Sequence, residues 1–222
     1  MKYKIDWLSF TVDSERDVDF EVLKNFGYDV EEFEKINGRY FYSLGMTLGN
    51  YVNVFFNDNK SQESYTKNTV CYVFTGQGCT DLDKKIKSEW NKLFVKLLND
   101  FKAKITRIDI ALDDFDKNSD IKFDRIEKHL KNGWYRSSKR SYNIVKSSDV
   151  EARKLGQTIY IGSRTAKNGY YARFYDKRAQ YIEKAQILSD EAQEFWQRYE
   201  ISYSKEKAHQ VATLLSLDNS VD

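Results

Sequence analysis

The stretch TRIDIALDD, residues 106–114, alternates polar and apolar side chains as a β-strand does. One face carries charged and small side chains, namely Arg107, Asp109, Ala111 and Asp113. The other face carries branched apolar side chains that we expect in the core, namely Ile108, Ile110 and Leu112. Carboxylates are poor strand formers, so this pattern indicates either the polar face of an edge strand or a site that needs negative charge.

Strand and helix patterns surround this segment along the chain. Strands are predicted over residues 3–12, 39–58 (a hairpin turning at Gly49 and Asn50), 69–79 (ending in a glycine-rich turn at 75–78), 104–116, 141–148, 157–164, 170–177 and 199–204. Helices are predicted over residues 19–27, 81–101, 122–133, 178–186, 190–198 and 205–217. Hairpins with helices laid on one face predict an α+β fold with a mostly antiparallel sheet, and we expect residues 1–222 to form one domain.

Positive charge is concentrated in residues 131–178, which hold twelve Lys and Arg against three acidic residues. This segment therefore carries a net charge of +9, whereas the rest of the chain sums to −7. The same segment holds eight aromatic residues. A basic, aromatic-rich third on an otherwise acidic chain favours a nucleic-acid surface, and a solvated lysine-rich surface is the alternative.

The sequence also lacks the patterns of membrane and secreted proteins. It has no run of about eighteen apolar residues and no apolar leader at its start. Its two cysteines, Cys71 and Cys79, suit a reducing compartment better than a disulfide scaffold. We therefore expect a cytoplasmic protein with no membrane partner.

Residues 168–180, NGYYARFYDKRAQ, place one tyrosine among cations. Tyr175 is flanked by Arg173, Lys177 and Arg178. A phenol has a pKa near 10 and is a poor nucleophile until a cation or metal stabilises its phenolate. On spacing alone, a nucleophile and a core ring with a basic fringe are equally compatible with this segment.

Carboxylates are the candidate metal ligands in this sequence. Asp109 and Asp113 share a strand face with a small alanine between them, which leaves room for a hard cation. Glu200, in the strand RYEISYS, joins them if the two strands are neighbours, and a solvated Glu–Arg pair is the alternative. The two histidines, His129 and His209, lie eighty residues apart in predicted helices. A metal held by carboxylates would be Mg²⁺ or Mn²⁺ rather than zinc.

Five segments, in this order, resemble the replication-initiation family of Gram-positive rolling-circle plasmids and the relaxases of some conjugative elements: IDWLSFTV, TGQGC, TRIDIALDD, TIYIGSRTAKNGYYARFYDKRAQ and RYEIS. The resemblance runs from residue 5 to about residue 203, and the block from YIGSR to RFYDK is its most specific part. It implies an α+β nickase fold similar to that of the HUH nucleases, without their histidine pair.

By this resemblance, Tyr175 cuts the origin strand, forms a 5′-phosphotyrosyl link and frees a 3′-OH. Asp109, Asp113 and Glu200 match the carboxylates that hold Mg²⁺ or Mn²⁺. Arg173 and Lys177 are the implied catalytic cations, which neutralise charge on the phosphoryl oxygens. The side chains expected to bind DNA are basic or aromatic, namely Arg107, Lys139, Arg140, Arg164, Lys167, Arg178, Trp134 and Tyr171.

The resemblance also implies partners. Origin DNA, single-stranded or extruded as a hairpin, is the expected substrate, and a second copy of the chain and a helicase are further candidates. Family members usually continue further after the catalytic segment. We therefore expect this chain to be either a trimmed catalytic domain or a compact member of the family.

Two other classes of function remain open at this point. One is a non-catalytic, sequence-specific DNA-binding module, and the other is a dimerising structural or regulatory protein. A conjugative-element relaxase would use the same chemistry as the initiator. The same-face carboxylates together with the cation-flanked tyrosine favour an enzyme, because neither other class requires both.

Overall fold

The computed structural model describes residues 2–57, 68–119, 121–135, 138–139, 141–148, 154–163, 169–185 and 194–217. In this part of the chain the strands are Lys2–Asp13 (β1), Glu34–Asn37 (β2), Leu44–Leu48 (β3), Val52–Phe56 (β4), Thr69–Phe74 (β5), Lys104–Asp114 (β6), Tyr142–Ser148 (β7), Lys154–Ile161 (β8), Tyr170–Asp176 (β9) and Gln197–Ser204 (β10). The α-helices are Glu21–Asn25 (α1), Gly76–Lys85 (α2), Trp90–Asn99 (α3), Phe123–Lys131 (α4), Lys177–Ala185 (α5) and Glu206–Leu217 (α6). Two short 3₁₀ helices span Val18–Phe20 and Val30–Glu32.

The strands form one sheet in the order β2-β3-β4-β5-β1-β6-β10-β9-β8-β7. The pairs β1–β5, β2–β3, β3–β4, β4–β5, β7–β8 and β8–β9 are antiparallel. The predicted α+β fold with a mostly antiparallel sheet is therefore confirmed. The chain forms two compact units: the first comprises Met1–Lys4 and Ile110–Ser202, and the second comprises Ile5–Asp109 and Tyr203–Asp222. That residues 1–222 act as one catalytic domain stays a prediction.

The core of the second unit lies on one face of β1 and β5. The register pairs Leu8 with Phe74 and Phe10 with Tyr72, and none of these four side chains has exposed surface. The ring of Phe10 stacks on that of Tyr72 at 5.0 Å between centroids. Because side chains alternate along a strand, the opposite face carries a smaller cluster formed by Tyr42, Phe55, Cys71 and Val73.

The core of the first unit lies between α4 and the strands β8 and β9. Its buried members are Phe123, Leu130, Ile159 and Ile161, with Ile126, Ile144, Ala172 and Phe174 packed against them. α4 is amphipathic, and its apolar positions recur every three or four residues, so one stripe of the helix covers this face. The other face of β9 is left for polar side chains.

The prediction of one helix over residues 81–101 is wrong, because this segment forms the end of α2 and the whole of α3. Lys87 and Ser88 have φ angles of 53° and 61°, a left-handed conformation that an α-helix cannot continue through. The indole Nε1 of Trp90 donates to Asp83 Oδ1 at 2.6 Å, which ties the start of α3 back to α2. α2 begins at Gly76, so the turn predicted at 75–78 is helical from that residue.

Three other sequence predictions need correction. β10 begins at Gln197, so the helix predicted over 190–198 is wrong at its end, and residues 190–193 lie outside the described residues. β2 was not predicted, because its four residues, EKIN, do not alternate strongly enough to indicate a strand. In β6 the carboxylate face is the more buried one: Asp109, Ala111 and Asp113 are buried, whereas Ile110 and Leu112 are only half-buried.

No helix in the described part of the chain combines the length and the apolar character needed to cross a membrane.

Leu97 tests the packing of α3, since its side chain has no exposed surface. We expect Leu97→Ala to lower the free energy of unfolding by about 2–5 kcal/mol, because it removes buried methyl groups and leaves a cavity. Val95→Ala, at a 40% exposed position of the same helix, is the control and should change the value by less than about 0.5 kcal/mol. Urea unfolding measures both, and equal effects would contradict this account of the core.

Candidate active site

The junction between β9 and α5 holds the cation-flanked tyrosine. Tyr175 is the last residue but one of β9, and Lys177 is the first residue of α5. Asp176 Oδ1 accepts a hydrogen bond from the backbone N–H of Ala179 at 2.9 Å, which is the contact of a helix N-cap. The backbone N–H groups of Lys177 and Arg178 both donate to the carbonyl of Trp196, at 3.0 and 3.1 Å. These bonds hold the start of α5 against the segment that leads into β10.

The alternation of β9 determines which side chains meet the polar face of the first unit. Ala172 and Phe174 pack into the apolar cluster under α4. Arg173 and Tyr175 therefore project from the opposite face of the strand. The two side chains share one face, as the strand pattern predicts.

Glu200, on β10, joins these two side chains. The phenol Oη of Tyr175 donates to Glu200 Oε2 at 3.2 Å. Arg173 Nη2 forms an ion pair with Glu200 Oε1. The Glu200 side chain has no exposed surface, and Tyr175 is 8% exposed. A buried carboxylate needs a cation, and Arg173 supplies it.

The cations also surround the ring of Tyr175. The guanidinium carbon of Arg173 lies 5.3 Å from the ring centroid, and Lys177 Nζ lies 5.7 Å from it. Burial disfavours the charge of Arg173, but the charge of Glu200 and its hydrogen bond outweigh that effect and raise the pKa of Arg173 above its ordinary value. Arg173 therefore stays charged, and two cations lie near the ring of Tyr175 while the carboxylate of Glu200 accepts the hydrogen bond of its hydroxyl.

Asp113 forms a second buried ion pair, with Arg198. Arg198 Nε donates to Asp113 Oδ1 and Arg198 Nη2 donates to Oδ2, both at 2.7 Å. Arg198 is only 1% exposed. Burial alone would raise the pKa of Asp113, but the hydrogen bonds from Arg198 and Trp196, with the charges of Arg198 and Lys4, lower it below its usual value.

Trp196 is a positioning residue that the sequence pattern did not reveal. Its Nε1 donates to Asp113 Oδ1 at 2.7 Å, and its backbone carbonyl accepts the two N–H groups at the start of α5. Lys177 Nζ lies 5.9 Å from its ring centroid. Trp196 therefore connects the Asp113–Arg198 pair to the start of α5. The aromatic residue before RYEIS was the available signal, but the segment was predicted as a helix.

Asp109, the third predicted metal ligand, belongs to the second unit and has its own arginine partner. Arg107 Nε donates to Asp109 Oδ1 at 2.9 Å. Asp109 is 1% exposed. Four residues of extended strand span about 13 Å, so one ion would take Asp109 or Asp113 but not both from a straight strand.

The three predicted metal ligands are thus each paired with an arginine. Among the residues that the structure describes, no group of three or more His, Cys, Asp or Glu side chains lies close enough together to hold a metal ion. Carboxylates are the right donors for Mg²⁺ or Mn²⁺, but in this arrangement their oxygens contact guanidinium, phenol and indole groups. The arrangement does not fit a bound ion unless an arginine moves, and the metal ligand set stays a prediction.

The side chains expected to bind DNA are distributed over both units. In the first unit Trp134 is 62% exposed, Tyr171 and Arg178 are half-exposed, and Lys139 Nζ lies 3.5 Å from the ring centroid of Tyr170. Arg107 lies in the second unit, 4.3 Å from the ring centroid of Trp7. Arg140, Arg164 and Lys167 lie outside the described residues.

Part of the positive charge counted in the sequence is neutralised in the fold. Lys131 and Lys146 both form ion pairs with Glu127, at 2.6 and 2.7 Å. Their hydrogen bonds lower the pKa of Glu127 below its usual value. Glu127 precedes the basic segment in sequence, so a count restricted to that segment overstates the charge available to a phosphate backbone.

Comparison with known proteins now identifies the family. Residues 103–221 match the model of the family described as replication initiation factor, which is more than half of the chain. This chain belongs to the replication initiation factor family. The matched region contains β9, β10 and the whole Arg173–Tyr175–Glu200 group. A search of curated proteins finds no match.

The fold of this family member is similar to that of a solved relative. The structure of the rolling circle replication initiator protein from Geobacillus stearothermophilus superposes with a TM-score of 0.79 and 24% sequence identity. The match covers 98% of this chain and 80% of that one. At this identity the likeness concerns the fold alone, and it agrees with the α+β fold predicted from the sequence.

The lowered pKa of Asp113 predicts how stability depends on pH. Because the folded pKa lies below the unfolded value near 3.9, the ionised carboxylate contributes stability above about pH 4, and this contribution is lost as pH falls through the folded pKa. Asp113→Asn should lower the free energy of unfolding by about 3–5 kcal/mol at neutral pH, because Arg198 keeps its charge without a partner. The same variant should lose less of its free energy of unfolding than the parent chain as pH falls below 4, because the titrating carboxyl is absent.

Urea unfolding between pH 7 and pH 3 measures both effects. Asp124→Asn, which removes one negative charge from an exposed position of α4, is the matched control. If the free energy of unfolding of both variants falls between pH 4 and pH 3 by as much as that of the parent chain, the Asp113–Arg198 pair does not control stability in acid.

Proposed function

We propose that this chain initiates rolling-circle replication by nicking a single DNA strand at the origin, with Tyr175 as the nucleophile. Rolling-circle initiators are nicking and strand-transfer enzymes as a family. The observation that carries the proposal is the hydrogen bond from Tyr175 Oη to the buried Glu200, which is itself paired with Arg173. Family membership supports the reaction class, and this contact supports the choice of tyrosine.

The reaction is an in-line displacement at phosphorus. Tyr175 Oη forms the new P–O bond, and its proton passes to Glu200 Oε2, which already accepts that hydrogen bond. The bond from phosphorus to the 3′-oxygen breaks, the leaving oxygen takes a proton from water, and the hydroxide that remains takes the proton held by Glu200. The products are a 5′-phosphotyrosyl link and a free 3′-OH that a polymerase can extend.

The cations act on the charge that develops during this step. Arg173 forms an ion pair with Glu200 and lies near the ring of Tyr175. Lys177, at the start of α5, lies near the same ring. Both lie where they can bind the non-bridging oxygens of a phosphate that approaches the phenol. The two cations would stabilise the negative charge on these oxygens, and this charge is larger in the pentavalent transition state than in the uncleaved strand.

One experiment tests the nucleophile directly. The protein is incubated with a labelled single-stranded origin oligonucleotide and Mg²⁺ or Mn²⁺, digested with trypsin, and the peptides are examined by mass spectrometry. Cleavage after Arg173 and Lys177 releases residues 174–177, in which Tyr175 is the one tyrosine. We expect the nucleotide on this peptide.

The same digest separates the other candidate tyrosines. Tyr170 and Tyr171 fall in the peptide 168–173, and Tyr181 falls in 179–184. Tyr175→Phe should abolish the covalent product and leave oligonucleotide affinity nearly unchanged, whereas Tyr181→Phe, at a 43% exposed position, is the control and should keep the product. A nucleotide found on 168–173 or 179–184 would move the nucleophile.

The burial of Tyr175 favours one other function, that of a DNA-binding module without catalysis. At 8% exposure the side chain of Tyr175 has little surface open to a phosphate in this conformation. Such a module would bind origin DNA through the basic segment 131–178 and would form no covalent product with any metal. A second copy of the chain and a helicase are proposed as partners for both the nickase and the non-catalytic DNA-binding module.

Metal dependence rests on the family resemblance, because each of the predicted carboxylate ligands is paired with an arginine in the fold. We propose Mg²⁺ or Mn²⁺ as the cofactor. Of the three predicted ligands, Glu200 is assigned above as the proton acceptor of Tyr175, so the remaining ligand candidates are Asp109 or Asp113, of which one ion would take only one. A bound ion would act as a Lewis acid on the scissile phosphate. Glu200→Gln should lower the nicking rate at every metal concentration with unchanged half-saturation, because the phenol loses its proton acceptor. Asp109→Asn should instead raise the metal concentration that gives half of the maximal rate.

Nicking rates measured across a titration of each metal distinguish these roles. A shifted half-saturation for Glu200→Gln would make Glu200 a metal ligand rather than a base. Unchanged titration curves for Asp109→Asn would remove Asp109 from the metal site.

A further inference from the structure

The second unit has a pocket of about 710 Å³, far along the sequence from the tyrosine of the first unit. Its walls come from β1, β2, β4, β5 and the segment between β2 and β3. The side chains that characterise it are aromatic or cationic, namely Trp7, Tyr40, Phe55, Lys35 and Arg39. We propose that this pocket binds one nucleotide of a single DNA strand, a site separate from the nucleophile. The inference rests on the proposed function, since it assumes that single-stranded DNA is the substrate.

Aromatic rings give the pocket surfaces for a nucleobase. The ring of Tyr40 meets that of Phe55 edge-on, at 5.3 Å between centroids and 82° between planes. Phe55 is 2% exposed and anchored in the small cluster of the sheet, whereas Tyr40 is 55% exposed. The edge-on contact restricts the orientation of the Tyr40 ring, while most of this side chain stays exposed. An exposed, oriented ring is the arrangement on which a base stacks.

The backbone at the edge of the pocket is strained. Tyr40 and Phe41 have φ angles of 56° and 71°, a left-handed conformation that is uncommon for bulky side chains. Phe41 is 86% exposed, so packing of the core does not account for this conformation. Tyr42 follows directly and is buried, with its Oη bonded to Thr69 Oγ1 at 2.8 Å. Strain held by an anchored neighbour, next to a pocket, indicates a segment shaped for a ligand.

The charges of the pocket suit a phosphate backbone. Lys35 and Arg39 are exposed and lie at or just beyond the edge strand β2. Asn37 and Asn50 add amide groups that can bond the edges of a base. Among the described lining residues there is no carboxylate to repel an anion. Arg107 lies over Trp7 beside one wall, but its charge is paired with Asp109, so Lys35 and Arg39 are the cations that face a phosphate.

The exposure of the rim favours a strand over a free nucleotide. Lys35, Asn37, Arg39 and Tyr40 are all exposed, so the chain on either side of a bound nucleotide can continue into solvent. A site for a free nucleotide would need a cradle for its terminal phosphates, and the glycine-containing segment at 75–78 starts α2 without a lysine. Two separate cations along one edge instead suit successive phosphates of a strand.

The test measures binding in the Tyr175→Phe background, in which no covalent product forms. A labelled oligothymidylate is titrated by fluorescence anisotropy. Tyr40→Ala should raise the Kd about tenfold, because it removes one stacking surface. Tyr40→Phe keeps the ring and should keep the affinity. Arg39→Gln should reduce the slope of log affinity against log salt by about 0.7, the value for one phosphate contact on a single strand.

Lys102→Gln, at an exposed position of the same unit outside the pocket, is the charge-matched control and should leave the slope unchanged. Equal affinities of Tyr40→Ala and the parent chain would overturn the proposal, even if nicking by Tyr175 is found. If Tyr40→Ala loses affinity and the chain with Tyr175 intact shows no nicking in the separate cleavage assay, the pocket would be supported and the proposed function refuted. Thymidine monophosphate binding as tightly as the oligonucleotide would reassign the pocket to a free nucleotide.

Discussion

The buried carboxylate of Glu200 constrains the candidate site more than any other group. A carboxylate without exposed surface is unfavourable unless a cation and hydrogen bonds compensate for the lost water. Arg173 supplies the charge and Tyr175 supplies a hydrogen bond, one to each oxygen. The requirement to stabilise one carboxylate therefore fixes the orientation of both the phenol and the guanidinium.

The same constraint recurs along β6 and β10. Asp113 is satisfied by both nitrogens of a buried arginine and by an indole, and Arg198 in turn has Asp113 as its bidentate partner. In the second unit Asp109 is held by Arg107. Each pair is stable only while both members are present, because removal of one leaves an uncompensated buried charge. The polar face of these strands is thus organised by ion pairs that a metal, a phosphate or a proton could rearrange.

Strand alternation made part of this site predictable from the sequence. It places Arg173 with Tyr175 on one face of β9, and Arg198 with Glu200 on one face of β10. It also indicates that Asp109 and Asp113 face one way. What alternation cannot supply is the partner of each charge, because the pairing of Asp113 with Arg198 spans 85 residues and depends on strand order.

The remaining errors have local physical causes. The break between α2 and α3 depends on two residues, Lys87 and Ser88, that neither glycine nor proline signals. The start of β10 at Gln197 was hidden because EFWQR fits a helix as well as a strand. The net charge of the basic segment was overstated because Glu127, which pairs with two of its lysines and offsets one positive charge, lies just outside it.

The start of α5 shows why, in the proposed reaction, side chains rather than the helix N-terminus would contact the phosphate. A helix N-terminus attracts anions through its free N–H groups. Here the N–H groups of Lys177 and Arg178 already donate to the Trp196 carbonyl, and that of Ala179 donates to Asp176. The positive charge that remains near the phenol is carried by the side chains of Arg173 and Lys177. In the proposed reaction, a phosphate that bound Arg173 would compete with Glu200 for the same guanidinium, so the buried ion pair and the phosphate contact would depend on each other.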